Sequence, residues 1–228
     1  AIKDMGFVAT KMKVGLGPRA DIKLAEAVRR GIGDDFRFMV DANHCYTTSD
    51  AFEVGRALED LDAYWFEEPI APEDLQGYRE LRAGLNVNIS GGEAEFNRWG
   101  WRSLLESRGL DIAQPEVCAL GGISEYLRVL ALCHAHFTPV VNHVWGSAVA
   151  VATNMHLLAS MPDLPGGMNP WEPMLEFDTT DNKFRDELLE TPLEIQAQVA
   201  QTNGYIALPE GPGLGITPDR DFLQYFAL

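Results

Sequence analysis

The chain of 228 residues carries 18 basic against 34 acidic side chains, a net charge of −16, and 46% of it is hydrophobic. That is enough apolar material for one large globular domain, while the acidic balance excludes nucleic acid and anionic membrane surfaces as partners, since both need clustered Lys and Arg. Cys45, Cys118 and Cys133 are odd in number, without paired metal-ligand spacing, and no run reaches the ~18 apolar residues of a membrane span, so a cytoplasmic protein without disulfides is expected.

In chain order, residues 1–6 read as the last turn of a helix stopped by Gly6. Residues 7–14 alternate in type and run into Gly15-Leu16-Gly17-Pro18, a strand with Lys11 and Lys13 on one face. Two readings stand for that pair. The lysines lower each other's pKa at a strand-end site and one is a base near neutral pH, or they are surface charges on a half-exposed strand. Residues 21–31 have an amphipathic helical pattern and lead to a strand ending at Asp41. Thr48 or Ser49 is expected to cap the next helix. His44, in the loop between, reads as a solvated histidine, with a substrate contact as the alternative.

The strand ending Tyr64-Trp65-Phe66-Glu67 leaves Glu68 to pair nearby, and Pro72-Glu73-Asp74 opens a helix with an acidic first turn. A strand ahead of Glu93 and a helix over 96–107 follow. Next come a short strand over 110–116, a helix capped by Ser124, and a strand over 139–143 ending at His143. Glu116 then stands where it can hold His143 as a base dyad; the alternative is a histidine that only caps the following helix. An apolar helix runs to Ser160, and residues 169–178 read as a last strand with Glu172, Met174 and Glu176 on one face. Past Asn182 the pattern breaks: 193–199 and 205–208, joined by Asn203-Gly204, read as a hairpin.

Asp41, Glu67 and Glu93 stand 26 residues apart, each at the end of an apolar run. Three carboxylates at one end of neighbouring parallel strands repel unless a cation sits among them. An all-oxygen donor set points to a hard metal, Mg²⁺ first and Mn²⁺ as the alternative. Strand–helix units of even length point to a (β/α) barrel with its site at the strand C-terminal ends; a doubly wound open sheet is the competing topology.

Lys11-Met12-Lys13, Asp41-Ala42-Asn43, Glu67-Glu68-Pro69, Gly91-Gly92-Glu93, Gln114-Pro115-Glu116, Gly121-Gly122 and Asn142-His143 together resemble the mandelate racemase and muconate lactonizing branch of the enolase superfamily. His143-Val144-Trp145-Gly146 and the stretch over 169–185 are similar to its galactarolactone cycloisomerase group. The resemblance implies a barrel over 1–182 lacking its first strand and N-terminal capping domain, with 183–228 packing on that domain. It makes Asp41, Glu67 and Glu93 the Mg²⁺ ligands, Lys13 and His143 the acid/base pair, Lys11 a modulator and Glu116 the partner of His143, in place of the family's Asp. Asn43, Trp145, Glu172 and Glu176 are assigned to substrate binding. The implied reaction is α-proton abstraction from a small carboxylate through an enediolate, with β-elimination on an acid sugar or its lactone. A neutral His143 would take the proton and a protonated Lys13 stabilise negative charge. The alternatives are a racemase or epimerase, and an inactive barrel used for binding; a homo-oligomer is expected.

Overall fold

The computed structural model describes residues 2–162 and 173–227. After a 3-10 turn at Ile2–Met5, strands β1 (Ala9–Lys13), β2 (Arg37–Asp41), β3 (Trp65–Glu67), β4 (Asn88–Gly91) and β5 (Ile112–Ala113) form a parallel sheet in chain order. Between and after them come α1 (Pro18–Ile32), α2 (Thr48–Asp60), α3 (Leu75–Gly84), α4 (Asn97–Ser107), α5 (Val117–Leu120), α6 (Ile123–Ala135) and α7 (Ala148–Ala159). A single parallel bridge, Ala113 to Val140, extends the sheet. This is the (β/α) barrel architecture, in which helices cover the outer faces of consecutive parallel strands.

Strand alternation decides what each face holds. Phe38, Val40, Phe66 and Ile89 point to the helices and join the main core with Val54, Leu58, Leu81, Leu104 and Val129. The alternate residues Met39, Trp65, Ile112 and Val141 form an apolar plug inside the ring, with Met174 against it. Fully burying each such side chain is worth roughly 1.5–3 kcal/mol. One alternation step beyond Met39 and Trp65 the inner face turns polar: Lys13 lies opposite Asp41, and Asp41 opposite Glu67.

The structure corrects several expectations. Residues 173–178 make no strand ladder, because their bonds run through side chains: the Arg37 guanidinium to the Met174 sulfur at 2.9 Å, and the Val144 N–H to Glu176 at 2.9 Å. The strand expected over 139–143 is reduced to the one bridge at Val140. The cap of α2 is Thr47, whose side chain accepts from the Asp50 N–H. Asp74 lies outside α3 and caps it, accepting from the Gly77 N–H, so the first turn is not acidic. Gly122, at φ 99, precedes α6 and leaves Ser124 inside the helix.

The hairpin is also absent. Residues 195–202 form a helix, because Ile195 and Val199 are one helical turn apart and bury together against Val151 and Met155; Asn203, at φ 56, then stops it. With α8 (Lys183–Asp186), α9 (Ile195–Thr202) and α10 (Arg220–Phe226), this C-terminal segment packs on α7, where Leu188 and Leu189 meet Ala148. Among the described residues no helix is long and apolar enough to cross a membrane.

Candidate active site

Asp41, Glu67 and Glu93 converge at the C-terminal end of the sheet, each offering a carboxylate oxygen within 4.8 Å of the others. Asp41 and Glu67 are the last residues of β2 and β3 and are fully buried. Glu93 follows a turn at Gly92, whose φ of 118 puts the Trp101 ring 2.4 Å from where a β-carbon would stand. Only glycine allows both that backbone and that contact.

The cluster is neutralised by cations from the chain itself. The Lys11 ammonium lies 2.5 Å from Glu67, 2.5 Å from Glu176 and 3.3 Å from Asp41. Burial alone would lower the Lys11 pKa, but these three carboxylates outweigh it and raise the pKa well above the ordinary lysine value. A lowered Lys11 pKa is therefore not found, because its ammonium faces carboxylates. Lys13, more than half exposed, bonds Asp41 from the rim. Burial pushes the Glu67 carboxyl up, with Lys11 opposing.

Across the cluster, His143 bridges two carboxylates, Nδ1 to Glu116 at 2.8 Å and Nε2 to Glu93 at 3.0 Å. Glu116 is long enough to reach the imidazole while its other oxygen accepts from the Cys118 N–H at 2.9 Å and caps α5. Burial would lower the His143 pKa, but Glu116 and Glu93 push it up to about 10, against the direction a neutral base requires. Glu176 links the two sides, one oxygen on Lys11 and the other on the Val144 N–H.

Asn43 is exposed and its N–H donates to Asp41 at 2.9 Å; Trp145 is exposed two residues past His143. Glu172 and Trp171 lie outside the described residues. His44 is not a solvated loop residue: it is half-buried and ion-paired to Glu68. Sequence reasoning also missed two groups on Glu67, the Trp65 indole and the Gln114 amide, both donating to Oε2 at 2.8 Å. Alternation held the signal for Trp65, which stands two residues before Glu67 on the same face. A groove of about 320 Å³ lies elsewhere, lined by Thr191, Leu193, Gln198, Leu208 and Ile216 of the C-terminal segment, and shares no residue with the cluster.

The strand ends of this barrel thus carry three clustered acids, with lysines on one side and a His–Glu dyad on the other, at the end of the sheet where (β/α) barrels carry their sites. Residues 1–222 match the model of the family described as enolase C-terminal domain-like, and the chain belongs to that family. It is 41% identical over 223 residues to D-galactarolactone cycloisomerase of Agrobacterium fabrum (strain C58 / ATCC 33970), covering 98% of this chain and 57% of that protein. The crystal structure of the 3,6-anhydro-D-galactonate cycloisomerase from Zobellia galactanivorans superposes with a TM-score of 0.85 at 39% identity, over 98% of this chain and 60% of that one. L-Talarate dehydratase from Polaromonas sp. JS666, crystallised with Mg and L-glucarate, gives 0.80 at 25% identity, over 98% and 56%. The chain therefore spans somewhat more than half the length of these relatives, which are acid-sugar cycloisomerases and dehydratases.

Proposed function

We propose that this chain carries the metal-binding and proton-transfer machinery of an enzyme that removes the α-proton of an acid sugar or its lactone and completes a β-elimination. The observation that carries the reading is the convergence of Asp41, Glu67 and Glu93 within 4.8 Å, with Lys13 on Asp41 and His143 on Glu93. The donor set fits Mg²⁺, with Mn²⁺ as the alternative: it offers three hard oxygens, of which those of Asp41 and Glu67 hold the Lys11 ammonium in this structure, and Glu67 is further anchored by Trp65 and Gln114. When bound, the metal supplies the positive charge that acidifies the proton α to a carboxylate.

The rest is done by side chains. Lys13 and His143 are the two acid/base groups, engaged with different acids of the cluster, so each addresses a substrate held there from its own side. Glu116 fixes the His143 tautomer through Nδ1 and leaves Nε2 as the atom that gives or takes a proton. Lys11, tied to three carboxylates, is a fixed charge and not a titrating base. Glu176, between Lys11 and the Val144 N–H, is placed to contact substrate oxygens, with Asn43 and Trp145 at the rim.

The test is solvent deuterium exchange into a panel of aldarates, aldonates and their lactones, with Mg²⁺ supplied. His143→Asn and Lys13→Ala should each stop product formation, and loss of α-carbon exchange in one of them with its retention in the other identifies the group that takes the proton. Full activity in Glu67→Gln, or its full retention of metal affinity, overturns the reading.

A further inference from the structure

Two groups beside the cluster have no part in that chemistry: Glu68, adjacent to Glu67, and His44, three residues past Asp41. The Glu68 carboxylate is completely buried; among the described residues its charged partner is the His44 imidazole, through Nε2 to Oε2, and its Oε1 finds no hydrogen-bond partner there. A buried carboxylate so sparsely compensated is costly for stability, and such pairs are retained for what they specify. Around the pair the backbone is left-handed at three residues other than glycine, Asn43 at φ 39, His44 at φ 66 and Glu68 at φ 41. Strain of this kind persists only where the surroundings enforce it.

The enforcing bonds are visible. The His44 N–H donates to the Glu68 carbonyl at 2.8 Å, and the Glu68 N–H to the Ser90 carbonyl at 2.9 Å. The Asn43 N–H donates to the Asp41 carboxylate at 2.9 Å. Glu68 also presses against β4, its Cγ 3.3 Å from where a β-carbon on Gly91 would stand. The segments after β2 and β3 are thereby joined through one ion pair and through backbone bonds from the Ala42, His44 and Tyr46 N–H groups to the Glu67, Glu68 and Pro69 carbonyls, immediately beyond the two buried acids.

We infer that His44 and Glu68 are positioning residues: the pair clamps the turn after β2 to the turn after β3 and so sets the spacing of the Asp41 and Glu67 carboxylates, without either residue touching ion or substrate. The inference rests on the metal-site reading above, and charge alone predicts the opposite sign for one variant. Glu68 holds the His44 pKa up, so removing the imidazole removes a positive group and by electrostatics strengthens cation binding. A clamp predicts weaker binding.

The experiment titrates Mg²⁺ calorimetrically into the wild type, Glu67→Gln, His44→Asn, Glu68→Gln and the double variant H44N/E68Q, with amide hydrogen exchange read at Asn43, His44 and Glu68. His44→Asn and Glu68→Gln should each weaken affinity about 10-fold, the size seen when a partner of a metal ligand is lost. The double variant should be no weaker than the worse single, since both remove one clamp. Unchanged or tighter binding in His44→Asn, with wild type binding and Glu67→Gln not, overturns the clamp. If the wild type binds no Mg²⁺, the metal reading fails; faster exchange at the three amides in the variants still supports the clamp, and unchanged exchange overturns it. Glu68→Gln keeps the side-chain volume and serves if His44→Asn does not fold.

Discussion

From β1 to β5 the ring is a hydrogen-bonded parallel ladder, whereas among the described residues that follow, around Val140–Val144 and 173–178, it is held by one bridge and by side chains. The ladder carries Lys11, Lys13, Asp41 and Glu67, whose spacing follows from strand register. The other side carries His143 and Glu176, whose positions depend on carboxylates and on the Val144 N–H. Cation ligands need a fixed separation, which register supplies; acid/base groups need a fixed orientation, which a second hydrogen bond supplies. The two sides should therefore fail differently under mutation.

The largest effect should come from the ladder's outer face. Phe66 is fully buried among the helices, so Phe66→Ala should cost about 3–5 kcal/mol by denaturant unfolding, the range for large-to-small changes in a packed core. Leu175, only partly buried in a smaller cluster on the other side, should cost much less as alanine. Equal losses would mean the two sides share one packing and break the comparison.

A smaller effect should expose what stands in for a ladder near His143. The Tyr126 hydroxyl donates to the Asn142 side-chain Oδ1, and the Asn142 side-chain Nδ2 donates to Asn154 Oδ1 at 2.7 Å; both asparagines are fully buried. Tyr126→Phe leaves a buried acceptor short of its donor, a loss of about 1–3 kcal/mol. Amide exchange should quicken at Val141, His143 and Val144 and stay unchanged in β2. Uniform acceleration would show that the network supports the whole fold and not this strand end.

The same contrast explains what was legible in the sequence. Asp41 and Glu67 each close a short continuous apolar run and share a 26-residue spacing, so their convergence followed from the pattern. His143 and Glu176 were readable as residues, but the strands expected around them do not form ladders, because side-chain bonds take the ladder's place there and the sequence pattern does not show that exchange. The helix over 195–202 was misread because a short apolar pair, Ile195 and Val199, fits either period until its partners on α7 are known. The burial of His44 was invisible, since its partner Glu68 is brought close only by the pairing of β2 and β3.

The smallest expected effect lies at the rim of the ladder side, where Glu125 of α6 meets Arg98 of α4. Arg98 contacts both carboxylate oxygens, at 2.7 and 2.6 Å, and Arg128 adds a contact at 3.0 Å. The Arg98 guanidinium holds the Glu125 carboxyl down to about 2, from an ordinary 4.5. A depressed folded pKa means the stabilisation is present above the unfolded value and is lost as pH falls through the folded one. The gap in denaturation midpoint between wild type and Glu125→Gln should therefore be widest above pH 4.5 and close between there and pH 2. The pair is only part-buried, so molar salt should shrink the gap at every pH. A gap independent of both pH and salt would show that the α4–α6 contact is held by packing alone, and that this edge of the ladder, unlike the His143 side, draws nothing from its charged side chains.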